Sequence, residues 1–184
     1  MAQYTPSSGD YCRPHRSPWG GFPTREMRVL STSTLIPLGA FVTLNTAGST
    51  AVNTVIHSTI PNAFSIVGIA AERIAARTDS GVEGATISVW EANPDVEFKA
   101  ITKGGAVASS NVGLRKSLAY DSTLNLHYVD LTVSTATDWR VVVTQNIQAV
   151  GDSGGYVAFR FLNHGAEQWN SSIPSTSPLL AFHS

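Results

Sequence analysis

The chain has 184 residues, 42% of them apolar and only 14% charged, with a formal net charge of −1. That length suits one core with extensions or two small lobes. The near-zero net charge excludes a global field that would recruit nucleic acid or an acidic membrane surface. The charged fraction lies well below the roughly 25% of an average soluble domain, and Ser, Thr, Asn and Gln stand where charges would be. Such a surface suits a β-rich protein covered by partners better than a monomer kept apart by its own charge. Cys12 is the only cysteine, which excludes an internal disulfide framework and a cysteine-based zinc site and points to a reducing compartment. Met1–Asp10 is polar, so no signal peptide is expected. The most apolar run, Ile66–Ala71, is far too short to span a bilayer.

Residues 1–34 read as an extended N-terminal arm. Pro6, Pro14, Pro18 and Pro23 punctuate it together with Gly20-Gly21. Each proline removes an amide donor and restricts its predecessor, which argues against both helix and sheet. The segment also carries Tyr4, Tyr11, Trp19 and Phe22, and Arg13, Arg16, Arg25 and Arg28 outnumber Asp10 and Glu26. A plain spacer has no use for those aromatics. Arg13, Arg16, Trp19, Phe22, Arg25 and Arg28 are therefore candidates for docking on a neighbouring protein, the alternative being a disordered leader.

From residue 35 to 162 the pattern predicts a β-rich body. Leu35–Leu44, Val52–Ile60 and Phe64–Ala71 are rich in β-branched residues and separated by turn formers. Later strands alternate: Val96, Phe98 and Ala100 share one face, as do Trp139, Val141, Val143 and Ile147, and Val157, Phe159 and Phe161. Ala70–Arg77 has helix-forming residues but is short, and Ala106–Val112 could form another helical turn. The expectation is an all-β fold, a single barrel or sandwich-like body, with no evident internal repeat. Residues 163–184 lose the alternation and end in an apolar cluster, Leu179, Leu180 and Phe182. This C-terminal tail is expected to pack on the body or on an adjacent subunit.

The motif that raises an enzymatic reading is GDSGG at Gly151–Gly155, which looks like the nucleophile loop of a chymotrypsin-like serine protease. In that reading His57, Asp79 and Ser153 would fill the order histidine, aspartate, serine. His57, however, sits in the strand-like VIHSTI, Asp79 in the ordinary turn TDSG, and Tyr156 follows where that family has a small residue or proline. Asp, Ser and Gly are also what a tight turn between two strands demands. No catalytic residue is therefore assigned. Glu91, Asp95 and Glu97 lack the ligand spacing of a calcium loop and read as a solvated edge. The five histidines show no H-x-H or H-x-x-x-H spacing, so neither a metal nor a cofactor is expected. Gly104-Gly105 reads as a turn, and no phosphate-loop motif occurs.

Several strings carry a resemblance. IVGIAA at Ile66–Ala71, ATISVW at Ala85–Trp90 and EANPDVEFKA at Glu91–Ala100 come first, followed by ASSNVGL at Ala108–Leu114, YDST at Tyr120–Thr123, then WRVVVTQNI and GDSGGYVAFRF. Together, over about Phe64 to Phe161, they resemble the body of tailed-bacteriophage head decoration, or cement, proteins. The resemblance implies a barrel-like homotrimer on the outer capsid surface, made in the host cytoplasm, that clamps neighbouring major capsid proteins. It implies no enzyme activity and neither a nucleic-acid nor a membrane partner. The other structural reading is a tail- or fibre-associated glycan-binding β-domain, with Trp90, Trp139 and Trp169 as candidate contacts.

Overall fold

The computed structural model describes residues 11–30, 35–45, 54–61, 66–76, 85–132, 140–148, 150–151 and 154–162. Eleven strands run through them in chain order: β1 (Arg13–Arg16), β2 (Thr24–Val29), β3 (Phe41–Leu44), β4 (Thr54–His57), β5 (Gly68–Ala70), β6 (Thr86–Glu91), β7 (Glu97–Lys103), β8 (Arg115–Asp121), β9 (Leu126–Asp130), β10 (Val141–Asn146) and β11 (Tyr156–Phe161). The only helical element among the described residues is a 3-10 turn at Ser109–Asn111, within the segment where a helical turn was expected. The all-β, barrel-like fold class is what the structure shows.

The body is built as two rings. Strands β2-β4-β3-β5-β6 form a closed barrel, and β7-β11-β10-β8-β9 return on themselves because β9 also pairs with β7. Numbering the five strands of each ring from one to five, both follow the spatial order 1-3-2-4-5 and close by pairing strand 1 with strand 5. In both, strands 1 and 3 are parallel (β2 with β4, β7 with β9) and every other pairing within the ring is antiparallel. The sequence shows no repeat, yet the topology is repeated. Alternation and turn chemistry are enough to maintain a strand order while residue identities drift.

Each ring has an apolar interior. Met27, Val29, Val42, Val55, Ala70, Ile87 and Val89 fill the first. Phe98, Ala100, Leu118, Val129, Val141, Val143, Val157, Phe159 and Phe161 fill the second, and their cluster extends to Phe41, Ile66 and Ile69. On β3, Phe41 belongs to one cluster and Val42 to the other; on β5, Ile69 and Ala70 divide in the same way. Period-2 alternation thus turns one face of β3 and β5 into their own barrel and the other against its neighbour. Close approach is needed here: a Cβ added to Gly68 on β5 would fall inside van der Waals contact of the Trp90 backbone and the Val89 side chain.

Two expectations need correction. Residues 13–16 and 24–29 are strands rather than an extended segment outside the sheet. β1 lies antiparallel on β7, and β2 is a stave of the first barrel. The prolines are tolerated because each occupies a place where no amide is needed. Pro14 sits on an edge strand, Pro18 in a turn, and Pro23 precedes β2 and offers its carbonyl to the Glu91 amide at 3.1 Å. The second correction concerns Ala70–Arg77. Ala70 ends β5, a bend follows at Ala71 and Glu72, and Ile74 exchanges backbone hydrogen bonds with Ile36 at 2.9 and 3.0 Å, so the described part is not helical. Residues 1–10 and 163–184 lie outside the described residues.

Candidate docking site

The turn from β1 to β2 presents the largest exposed hydrophobic side chain among the described residues, Trp19, at 59% exposure, with Phe22 at 39%. Local chemistry fixes this presentation. Ser17 Oγ accepts the Trp19 amide at 3.2 Å, Pro18 presets its own φ, and Gly20 takes the left-handed φ of 73° that ends the turn. The indole therefore stands out from a braced turn.

Beside it lies an open cleft of about 550 Å³ lined by Arg16, Ser17, Pro18, Trp19, Asp95, Glu97 and Arg160. Strand pairing assembles it. Arg16 is the register partner of Glu97, and β11 lies on the other side of β7, so Arg16, Glu97 and Arg160 come from three adjacent strands. Arg160 Nη2 donates to Glu97 Oε1 at 3.3 Å, and Glu97 is buried rather than the solvated edge expected of it. Asp95 is held by the connection between the two rings, where Asn93 Oδ1 accepts the Asp95 amide at 2.9 Å. The cleft thus combines an exposed indole and two guanidinium groups, side chains enriched at protein interfaces, with two carboxylates, which are depleted there.

The other candidate arginines do not converge on it. Arg25 Nε pairs with Glu91 Oε1 at 2.9 Å, Arg13 lies 5.5 Å from the Tyr11 ring centroid, and Arg28 lies on β2, opposite Thr86 and Thr54. Of the six residues expected to dock, Arg16 and Trp19 share one cleft and Phe22 flanks it in the chain. Asp95, Glu97 and Arg160 were not linked to these by sequence, because only the β1-β7-β11 pairing brings them together. Trp90 packs against the core cluster, whereas Trp139 and Trp169 lie outside the described residues.

The GDSGG loop joins β10 to β11. Gly151 and Gly154 have φ of 102° and 78°, and Gln148 Oε1 accepts the Tyr156 amide at 2.8 Å; Asp152, Ser153 and Asp79 lie outside the described residues. His57 is buried and its ring lies 5.1 Å from that of His127, which lies 4.7 Å from Phe41, itself 6.1 Å from Phe161. Phe161 is the last residue of β11, and the loop enters β11 at Tyr156. About 17 Å of strand therefore separates the loop from the ring cluster that holds His57.

That cluster sits where the two barrels meet. His127 Nε2 bonds the Ser58 carbonyl at 2.8 Å, Tyr120 packs against both imidazoles, and Cys12 Sγ donates to the His127 carbonyl at 3.5 Å. Burial pushes His57 down to about 4 and His127 down to about 3, and pushes the Cys12 thiol far up. Among the described residues His57 Nε2 and His127 Nδ1 have no hydrogen-bond partner. Among the described residues no three His, Cys, Asp or Glu side chains are grouped as metal ligands. No helix among them is long and apolar enough to cross a membrane. Compared with protein-family models, with curated proteins and with solved structures, the chain matches none.

Proposed function

We propose that this chain is a structural decoration protein of a tailed-phage head, seated on the outer capsid surface as a homotrimer and clamping neighbouring copies of the major capsid protein. The sequence strings from Phe64 to Phe161 support the reading, and one structural observation carries it: Trp19 is held 59% exposed on a braced turn beside a cleft of balanced charge. A buried aromatic anchor contributes most when it is rigid before binding, because little rotamer entropy remains to be lost. A protein that binds only the assembled lattice adds its binding energy to the lattice's stability, and a trimer multiplies weak contacts through effective concentration. In this reading GDSGG is a hairpin turn with no catalytic role, in keeping with its separation from His57.

The test is occupancy of bare expanded heads against protein concentration. Trp19→Ala together with Phe22→Ala is expected to weaken attachment at least tenfold, which is about 1.4 kcal/mol. Higher salt is expected to reduce binding only partly, through the Arg16 and Arg160 share. Superimposable occupancy curves for wild type and the double variant would remove the docking role of the turn.

A further inference from the structure

Among the described residues, the two rings differ at the outer edge of their first strand. In the second, Thr102 donates to the Gly155 carbonyl at 2.9 Å, so alternate residues Ala100 and Phe98 also bond β11. Glu97 and Lys99 point their backbone groups the other way, where β1 covers them, with Lys99 opposite Arg13 and Glu97 opposite Arg16; further along, β9 takes over at Thr102 and Lys103.

The first ring has the same arrangement, and among the described residues no strand takes the place of β1. Val29 donates to Ala85 and Glu91 donates to Pro23, so residues 23, 25, 27 and 29 face β6. Thr24, Glu26 and Arg28 point their backbone groups away from it. β4 opposes Arg28 and Val29, but among the described residues no strand lies alongside Thr24 to Glu26, and all three of these residues are exposed. Among the described residues, the position that β1 fills in the second barrel therefore has no strand in the first.

We propose that this β2 edge is a strand-acceptor site, filled by the C-terminal segment of a second copy of this chain; the assignment rests on the self-association in the reading above. An unpaired edge offers main-chain donors and acceptors that an added strand satisfies. The occupant in the second barrel shows what fits: β1 is four residues long, tolerates a proline and runs antiparallel. The 22 residues after Leu162 contain one matching run, Leu179–Phe182 directly after Pro178. The segment reaches about 70 Å if extended. It leaves the body two residues beyond Arg160, which lines the Trp19 cleft, on the Thr24 side of β2. To pair antiparallel within its own copy it would have to pass the edge and double back. A tail donated by a neighbouring copy is free of that starting point, and strand exchange of this kind joins copies around a closed ring.

The experiment measures sedimentation mass and amide exchange at Thr24 and Glu26 in the full-length protein, without capsids. The wild type is expected to associate, with both amides protected. Leu180→Asp with Phe182→Asp is expected to weaken association and speed exchange at both amides at least tenfold. Glu26→Pro, which removes an edge donor while leaving the bonds to β6, is expected to weaken association by a similar factor, with circular dichroism checking that the variant folds. An associated species of unchanged mass in both variants, with the Thr24 amide still protected in each and the Glu26 amide in the aspartate variant, overturns the strand-acceptor assignment alone. Protection in a species of single-chain mass overturns the second copy as donor. Unprotected amides in a monomer at every concentration overturn both this assignment and the self-association reading.

Discussion

At the residue scale, the two imidazoles at the junction of the barrels make the most definite statement. His57 and His127 are buried among Phe41, Tyr120 and each other, and burial holds them near 4 and 3 against an ordinary 6.5. The unfolded chain takes up these protons first, so the stability of the neutral pair is fully present above about pH 6.5. It falls as pH drops through 6.5 toward 4 for His57 and toward 3 for His127. Each ring contributes a slope of at most about 1.4 kcal/mol per pH unit in that window. Denaturant unfolding at pH 7.5, 5.5 and 4.5 is expected to show this fall in the wild type and a shallower one in His57→Gln. Parallel curves would mean that His57 does not hold the junction's pH dependence.

At the element scale, the loop from Gly151 to Gly155 behaves as a connection between two strongly alternating strands. Its left-handed glycines and the Gln148 bond to Tyr156 are turn chemistry. Ser153→Ala is expected to leave the unfolding midpoint nearly unchanged and to give the same blank result as wild type with a serine-reactive phosphonate probe. Labelling that disappears in the variant would restore the protease reading. Turns and alternating strands were legible in the sequence for the same reason: both are local. Val157, Phe159 and Phe161 are buried on one face as their spacing predicts. The N-terminal strands were not legible. Nothing local to Pro14 or Pro23 reveals that its amide position is one no partner requires, because that depends on β7 and β6 lying alongside.

At the scale of the whole molecule, β2 is a stave of a closed barrel, so the segment before residue 30 cannot be removed without cost. Deleting residues 2–30 takes away five register pairs with β6, the parallel contact with β4, and the buried side chains of Met27 and Val29. Burial of those two side chains alone is worth about 3–6 kcal/mol, comparable with the net stability of a small domain. The deletion is expected to yield a protein without a cooperative thermal transition in its first barrel. A native-like melt and near-ultraviolet spectrum in the truncated chain would refute the structural role of β2. Point substitutions on the exposed turn are therefore the way to isolate docking from folding.

The sequence by itself determined the fold class and the positions of most strands from residue 35 onward, since each follows from the chemistry of residues near one another in the chain. Tertiary structure alone decided the rest. The doubled 1-3-2-4-5 topology depends on pairings between residues far apart in the chain, such as Arg28 with Thr54 and Thr102 with Val129, and hydrogen bonds between backbones leave no mark on side-chain identity. The same holds for the cleft, where Arg16, Glu97 and Arg160 become neighbours only because β1, β7 and β11 lie side by side.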